Sequence, residues 1–328
     1  MTINEERAVT NFLVSSYQIM DILNDKSQNE KYFQSILALI QRPDINPAHL
    51  LQLINIVTQF ILITNDTTYN ELTFRAIIPM YLFSPNDEVF SKVVYLFKII
   101  LETLYTDGVY TFFFGQNVDD FLLSKLPNVR QIDKEHILGV FINVSAGTSE
   151  STQELFVRGF IQKISIFQNI NEKCMGLILE SLTNMFSLGP EVIQEVLCRG
   201  FGDIAIRFFN VGTFSTKETV VLFLCGILGY IQEPAILNFF VANSLMAKIT
   251  EYFVVSKSKI FSKVVHALFL LLRMIEGPLT DNPLFSDVNT QELIEMLAEI
   301  RESIVGKDSK KQFLIEVEEL LSRLYLDD

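Results

Sequence analysis

Apolar residues recur along this chain at steps of three and four. Val93, Val94, Phe97, Ile100, Leu101 and Leu104 fall on one face of a helix, which is the signature of an amphipathic helix that buries one side. No long run alternates apolar with polar residues, as a half-buried strand would. Only 14 Gly and 9 Pro punctuate the 328 residues. The pattern predicts an all-α chain.

The helical pattern repeats. QELFVRGFIQKI (153–164) and QEVLCRGFGDI (194–204) carry Arg158-Gly159-Phe160 and Arg199-Gly200-Phe201, 41 residues apart. Weaker echoes place Arg75-Ala76, Asn117, Asn243 and the region of Asp287 at related positions. A period of 41–44 residues without strand signals marks an array of armadillo or HEAT type. The Gly, Ala or Asn at this point is read as the residue that ends a short first helix, where left-handed backbone geometry is needed. One unit then comprises helices Thr152–Arg158, Phe160–Gln168 and Glu172–Phe186, with Pro190 just beyond.

The predicted architecture is an α-solenoid, a right-handed superhelix of about six to seven three-helix units. Six units are placed at 45–84, 85–127, 128–168, 169–210, 211–255 and 256–300. Residues 1–44 form an N-terminal helical cap, and 301–328 a C-terminal cap with Phe313, Ile315, Val317, Leu320 and Leu321 facing inward. The segment Gly277–Asn289, with Pro278 and Pro283, is the longest loop.

FINVSAGTSESTQELFVRGFIQKI (141–164) resembles an armadillo repeat of the importin-alpha (karyopherin-alpha) family. Asn143, Gly147, Thr148, Ser149, Glu150, Thr152 and Gly159 match its pattern in order, and Asn184 stands at the matching position one repeat later. The match covers about 70 residues; elsewhere only period and helix pattern agree. The resemblance implies a concave groove lined by the third helices. There an Asn amide, both donor and acceptor, bonds the backbone of an extended basic peptide such as a nuclear-localisation signal. Trp rings four residues earlier hold lysine stems against their faces.

The chain keeps only part of that array. Asn143 and Asn184 are in phase, but Glu102 and Gly226 occupy the flanking positions, and Lys98, Gly139, Glu180 and Leu222 stand where the Trp would be. There is no Trp, and Leu188 replaces the acidic residue past the second Asn. The family's basic importin-beta-binding segment also has no counterpart, because residues 1–44 hold only Arg7, Lys26, Lys31 and Arg42 as scattered bases. Importin-beta binding by that route is not expected.

The candidate peptide-binding residues are Glu102, Asn143, Gly147, Thr148, Thr152, Glu180 and Asn184. The Asn side chains could clamp a peptide backbone or bond local backbone at helix ends. The two Glu could meet lysines or simply face solvent. Thr148 and Thr152 could bond a ligand, and Thr152 is also read as the cap of the next helix.

Charge and chemistry narrow the function further. A net charge of −13 repels phosphate backbones and argues against nucleic-acid binding. The apolar stretch Ala48–Asn65 is interrupted by Gln52, Asn55, Thr58 and Gln59, so it reads as a buried helix; no membrane association is expected. Neither is a secretory leader, since Asn4, Glu5 and Glu6 open the chain. Cys174, Cys198 and Cys225 have no metal or redox spacing; they read as reduced core thiols in a cytoplasmic or nuclear protein. His49, His136 and His266 are scattered, His266 reading as partly buried, and no phosphate loop exists. No cofactor, metal or catalytic site is expected, and the 28 Phe read as core. The expected function is a non-enzymatic adaptor that binds extended basic peptides in a concave groove, with nuclear protein import as its setting; the alternative is an armadillo or HEAT scaffold with another protein partner, such as a helix in its groove.

Overall fold

A capping side chain fixes the start of many helices here. Asn46, Asp66, Asn86, Asn171 and Asn289 each accept a hydrogen bond from a backbone N–H in the first turn that follows, supplying a partner that the helix itself cannot. The computed structural model describes residues 26–167, 170–256, 260–306 and 310–326. Among them no strand occurs. The contacts divide the chain into two units, the first ending at Ser151 and the second beginning at Thr152.

The first unit contains α1 (Lys26–Ile40), α2 (Pro47–Thr64), α3 (Thr67–Tyr81), α4 (Asp87–Leu101), α5 (Asp107–Gly115), α6 (Val118–Lys125) and α7 (Gln131–Ser145). The long helices α2, α4 and α7 pack successively against one another. Beneath them lies a chain of rings: Phe113 sits 6.3 Å from Phe97, 5.0 Å from Phe114 and 6.0 Å from Phe141. By length and composition α2 could cross a membrane, but Leu53, Ile54, Ile56 and Val57 are fully buried against neighbouring helices. Its end leaves Leu62 and Ile63 exposed.

Helix α8 (Ser149–Val157) carries the chain across the division. The second unit continues with α9 (Phe160–Ile164), α10 (Glu172–Met185), α11 (Pro190–Cys198), α12 (Phe201–Val211), α13 (Phe214–Leu228), α14 (Pro234–Ala242), α15 (Leu245–Ser256), α16 (Phe261–Met274), α17 (Thr290–Ile304) and α18 (Lys311–Leu326). Here α10, α13, α16 and α18 form the succession of long helices.

The junctions between short helices test the repeat directly. Asn117, Gly159 and Gly200 have φ of 51°, 74° and 82°, so all three occupy the left-handed region as the spacing predicts. Asn243 does not: its φ is −112°, and Ser244 at 48° makes the turn. At Arg75-Ala76 there is no junction. The segment runs straight through α3, because alanine has the strongest helix preference and no tolerance for left-handed backbone.

Other expectations are corrected by packing. The first short helix of the best-matching repeat starts at Ser149 rather than Thr152, and the second ends at Ile164 before a 3₁₀ turn at Ser165–Phe167. Residue 168 of the predicted second helix lies outside the described residues. Pro190 opens α11 instead of merely following α10, a position where its missing N–H costs nothing. Cys198 is exposed, while Cys174 and Cys225 are buried. Burial alone pushes the Cys225 thiol up to about 12. Phe83 and Phe214 are 39% and 56% exposed, exceptions to the reading of the Phe residues as core. The 300/301 division falls inside α17. In α18, Val317, Leu320 and Leu321 are buried as expected, but Ile315 is exposed. It falls on the outward face of that helix. Of the N-terminal cap, α1 is described; residues 1–25, including Arg7, lie outside the described residues.

Candidate peptide-binding faces

The first unit's candidate residues lie at the ends of α4 and α7. Lys98, in the last turn of α4, folds back on Glu102, just past the helix end, with Nζ 2.5 Å from Oε1. Its stem runs over Gly139 on α7: a Cβ added there would stand 2.7 Å from Lys98 Cδ and Cε. One turn further along α7, Asn143 is half-buried, and its Nδ2 donates to the Lys98 carbonyl at 2.9 Å. So two positions that carry Trp in the resembling family hold a lysine and the glycine that makes room for it, and the Asn between repeats ties their helices together. The Tyr95 and His136 rings meet at 4.7 Å alongside. Burial depresses the His136 pKa, and Asp133 opposes the shift. On this face Glu102 and the Asn143 amide donor are already engaged within the unit.

This leads to a direct prediction. Asn143→Ala should lower stability by about 0.5–1.5 kcal/mol, the usual net worth of one hydrogen bond, measured by denaturant unfolding. Unchanged stability would show that the bond to Lys98 contributes nothing and would return Asn143 to the role of a ligand group.

Gly147, Thr148 and Thr152 have local roles in the same structure. A Cβ at Gly147 would lie 1.9 Å from the Tyr110 hydroxyl, so the glycine is required by the approach of Tyr110. Thr148 is the cap that the sequence reading assigned to Thr152. Its Oγ1 accepts from the Ser151 N–H at 3.1 Å, and its own N–H donates to Ser151 Oγ at 3.1 Å. This is a reciprocal pairing of the capping-box kind. Thr152 is buried inside α8.

The second unit presents a different face. An open cleft of about 1370 Å³ runs over α10, α13 and α16 and is bounded by the end of α17 and the start of α18. Glu180 and Asn184 line one wall. Leu222, Gly226 and Leu270 line the cleft, Leu270 40% exposed. Lys263 and Lys310 stand on the other side with Phe313. Partial loss of hydration raises the Glu180 pKa, with Lys263 acting in the opposite sense. No ion pair joins these two among the described residues. Glu316, buried at the foot of α18, sits 3.0 Å from His266 Nδ1. The His266 side chain is 55% exposed rather than partly buried.

Glu180 and Asn184, one turn apart on α10, both line the cleft as candidates of one surface, whereas Asn143, in phase with Asn184, belongs to the first unit. Glu218, Lys263, Leu270, Lys310 and Glu316 are cleft residues the sequence reading did not select. The long helices begin at Glu172, Phe214 and Phe261, so the spacing lengthens after α13 and a fixed period loses register. Residues of α17 and α18 enter the cleft by tertiary packing alone. Counting charged lining residues gives three Glu against two Lys, so the surface is of mixed sign rather than strongly acidic. Among the described residues, no group of three His, Cys, Asp or Glu side chains is placed to hold a metal.

No protein-family profile and no curated protein sequence matches the chain. Solved structures do. A designed armadillo-repeat protein, YIII(Dq)4CqI, superposes with a TM-score of 0.60 at 13% identity, covering 73% of this chain and 99% of the designed one. A second designed armadillo-repeat protein, solved in complex with the peptide (KR)4, gives 0.59 at 13% identity, covering 73% and 99%. An engineered protein covers 100% of this chain and 91% of its own, with a TM-score of 0.55 at 12% identity. At such identities the likeness speaks for fold alone. With the helix succession described above, it establishes an all-α, armadillo-type repeat fold.

Proposed function

We propose that this protein is a non-enzymatic, peptide-binding repeat protein that receives an extended segment of a protein partner in the cleft of its second unit. The observation that carries this reading is the cleft itself. At about 1370 Å³ it exceeds the roughly 300–1,000 Å³ of small-molecule sites. It lies on the long-helix face, and one designed armadillo-repeat protein of similar fold was solved in complex with a basic peptide. Asn184 supplies an amide for backbone recognition, and Glu180 a carboxylate for a cation. A partner with basic residues agrees with the net charge of −13, and an adaptor of the cytoplasm or nucleus, including nuclear import, agrees with the importin-alpha-like segment. Exposed ion pairs contribute about 0–1 kcal/mol each, so without Trp slots the affinity is expected to be roughly micromolar.

Fluorescence polarisation of a labelled lysine-rich peptide against a scrambled acidic one tests this on the full chain. The lysine-rich peptide should bind preferentially and lose affinity in Glu180→Gln. Equal binding of both peptides would overturn the reading. The same assay carries a pH signature. Because the Glu180 pKa is raised, the free site protonates above the usual carboxylate range. Affinity for the lysine-rich peptide should therefore fall with decreasing pH from above that range. His266, Glu218 and Glu316 also line the cleft, so the part of the profile due to Glu180 is the part that Glu180→Gln removes.

A further inference from the structure

The two units treat their charges differently. On the first, Lys98 and Glu102 pair with each other at 2.5 Å, and a partner must compete with that contact. On the second, Glu180 holds one wall of the cleft, while Lys263 and Lys310, both exposed, hold the other. Neither lysine forms an ion pair among the described residues. Glu316 lines the same side, but it is buried and partnered by His266. Among the cleft-lining residues on the α16 and α18 side, the exposed lysine charges are therefore those of Lys263 and Lys310. Apolar surface lies among these charges: Leu222 and Phe313 are half-buried and Leu270 more open.

A uniformly basic peptide fits only one wall. Its lysines would be attracted by Glu180 and repelled by Lys263 and Lys310, and like charges brought together oppose binding by several times the thermal energy. A segment with charges of both signs and a large apolar side chain satisfies the whole surface. Resting on the peptide-binding reading above, we infer that the partner segment seated in this cleft carries a basic residue opposite Glu180, an apolar anchor over Leu222, Leu270 and Phe313, and an acidic residue facing Lys263 and Lys310. The anchor supplies the non-directional part of the affinity. The two charges set its placement and suppress wrong partners.

The test compares three labelled peptides of equal length on the full chain: one with lysines only, one with lysines and a central leucine, and one with lysine, leucine and aspartate in that order. Affinity should rise by about tenfold from the first to the third. In a Lys263→Glu, Lys310→Glu variant whose circular-dichroism spectrum is unchanged, the aspartate peptide should lose its advantage. A peptide with lysine in place of that aspartate should regain it. The inference is overturned, and the broader function left standing, if the all-lysine peptide binds as tightly as the mixed one or if the charge swap leaves the order of affinities unchanged. If none of the three peptides binds, both readings fall.

Discussion

Phe113→Ala is expected to destabilise the protein by about 3–5 kcal/mol, the usual cost of emptying a fully buried phenylalanine site. The side chain has no exposed surface and meets Phe97, Phe114 and Phe141 within 6.3 Å. These come from α4, α5 and α7, so one truncation opens a void shared by three helices. Interiors are packed as densely as organic crystals and close such voids only in part. Domains are typically stable by only about 5–15 kcal/mol, and repeats draw their stability from their neighbours. The loss should therefore be visible as a large drop in the denaturation midpoint monitored by far-ultraviolet circular dichroism. Phe214→Ala is the control. That ring is 56% exposed, and its removal should cost far less. Equal losses in the two variants would contradict this account of the core.

Gly147→Ala is expected to cost about 1–3 kcal/mol through overpacking. The new methyl would stand 1.9 Å from the Tyr110 hydroxyl and 2.9 Å from Cζ. The strain is relieved only if the ring moves, and Tyr110 is buried. Tyr110→Phe removes the atom in the worst contact, so the double variant should recover part of the loss while the remaining Cζ contact keeps recovery incomplete. Thermal unfolding of the two single variants and the double one supplies the comparison. The sequence reading took Gly147 as a peptide-binding residue. That role would be supported instead if Gly147→Ala left stability unchanged and weakened peptide binding. The contrast matters for reading armadillo-like segments, since a family pattern transmits packing requirements as faithfully as it transmits ligand contacts.

Helical periodicity and the 41-residue echo were sufficient to reach the helix content, the repeat length and the left-handed junctions at Asn117, Gly159 and Gly200. Each of these depends on local physics: which face is apolar, and which residue accepts positive φ. Asn243 departs from the pattern because the neighbouring Ser244 serves the same turn, and Ala76 because the helix preference of alanine outweighs the match of spacing. Composition determined the acidic balance, and the four-residue spacing of Glu180 and Asn184 put both on one face of α10. The tertiary structure alone decided which candidate charges are engaged. Lys98 reaches Glu102 one turn away, but only packing over Gly139 fixes its path, and Asn143 finds the Lys98 carbonyl 45 residues back. Likewise Lys310 and Phe313 enter the cleft because α18 packs on α16, a contact between segments that no local period connects. Local preferences act over a turn or two of helix and can be read residue by residue. The sign and shape of a binding surface are set by side chains that meet only after the helices have packed.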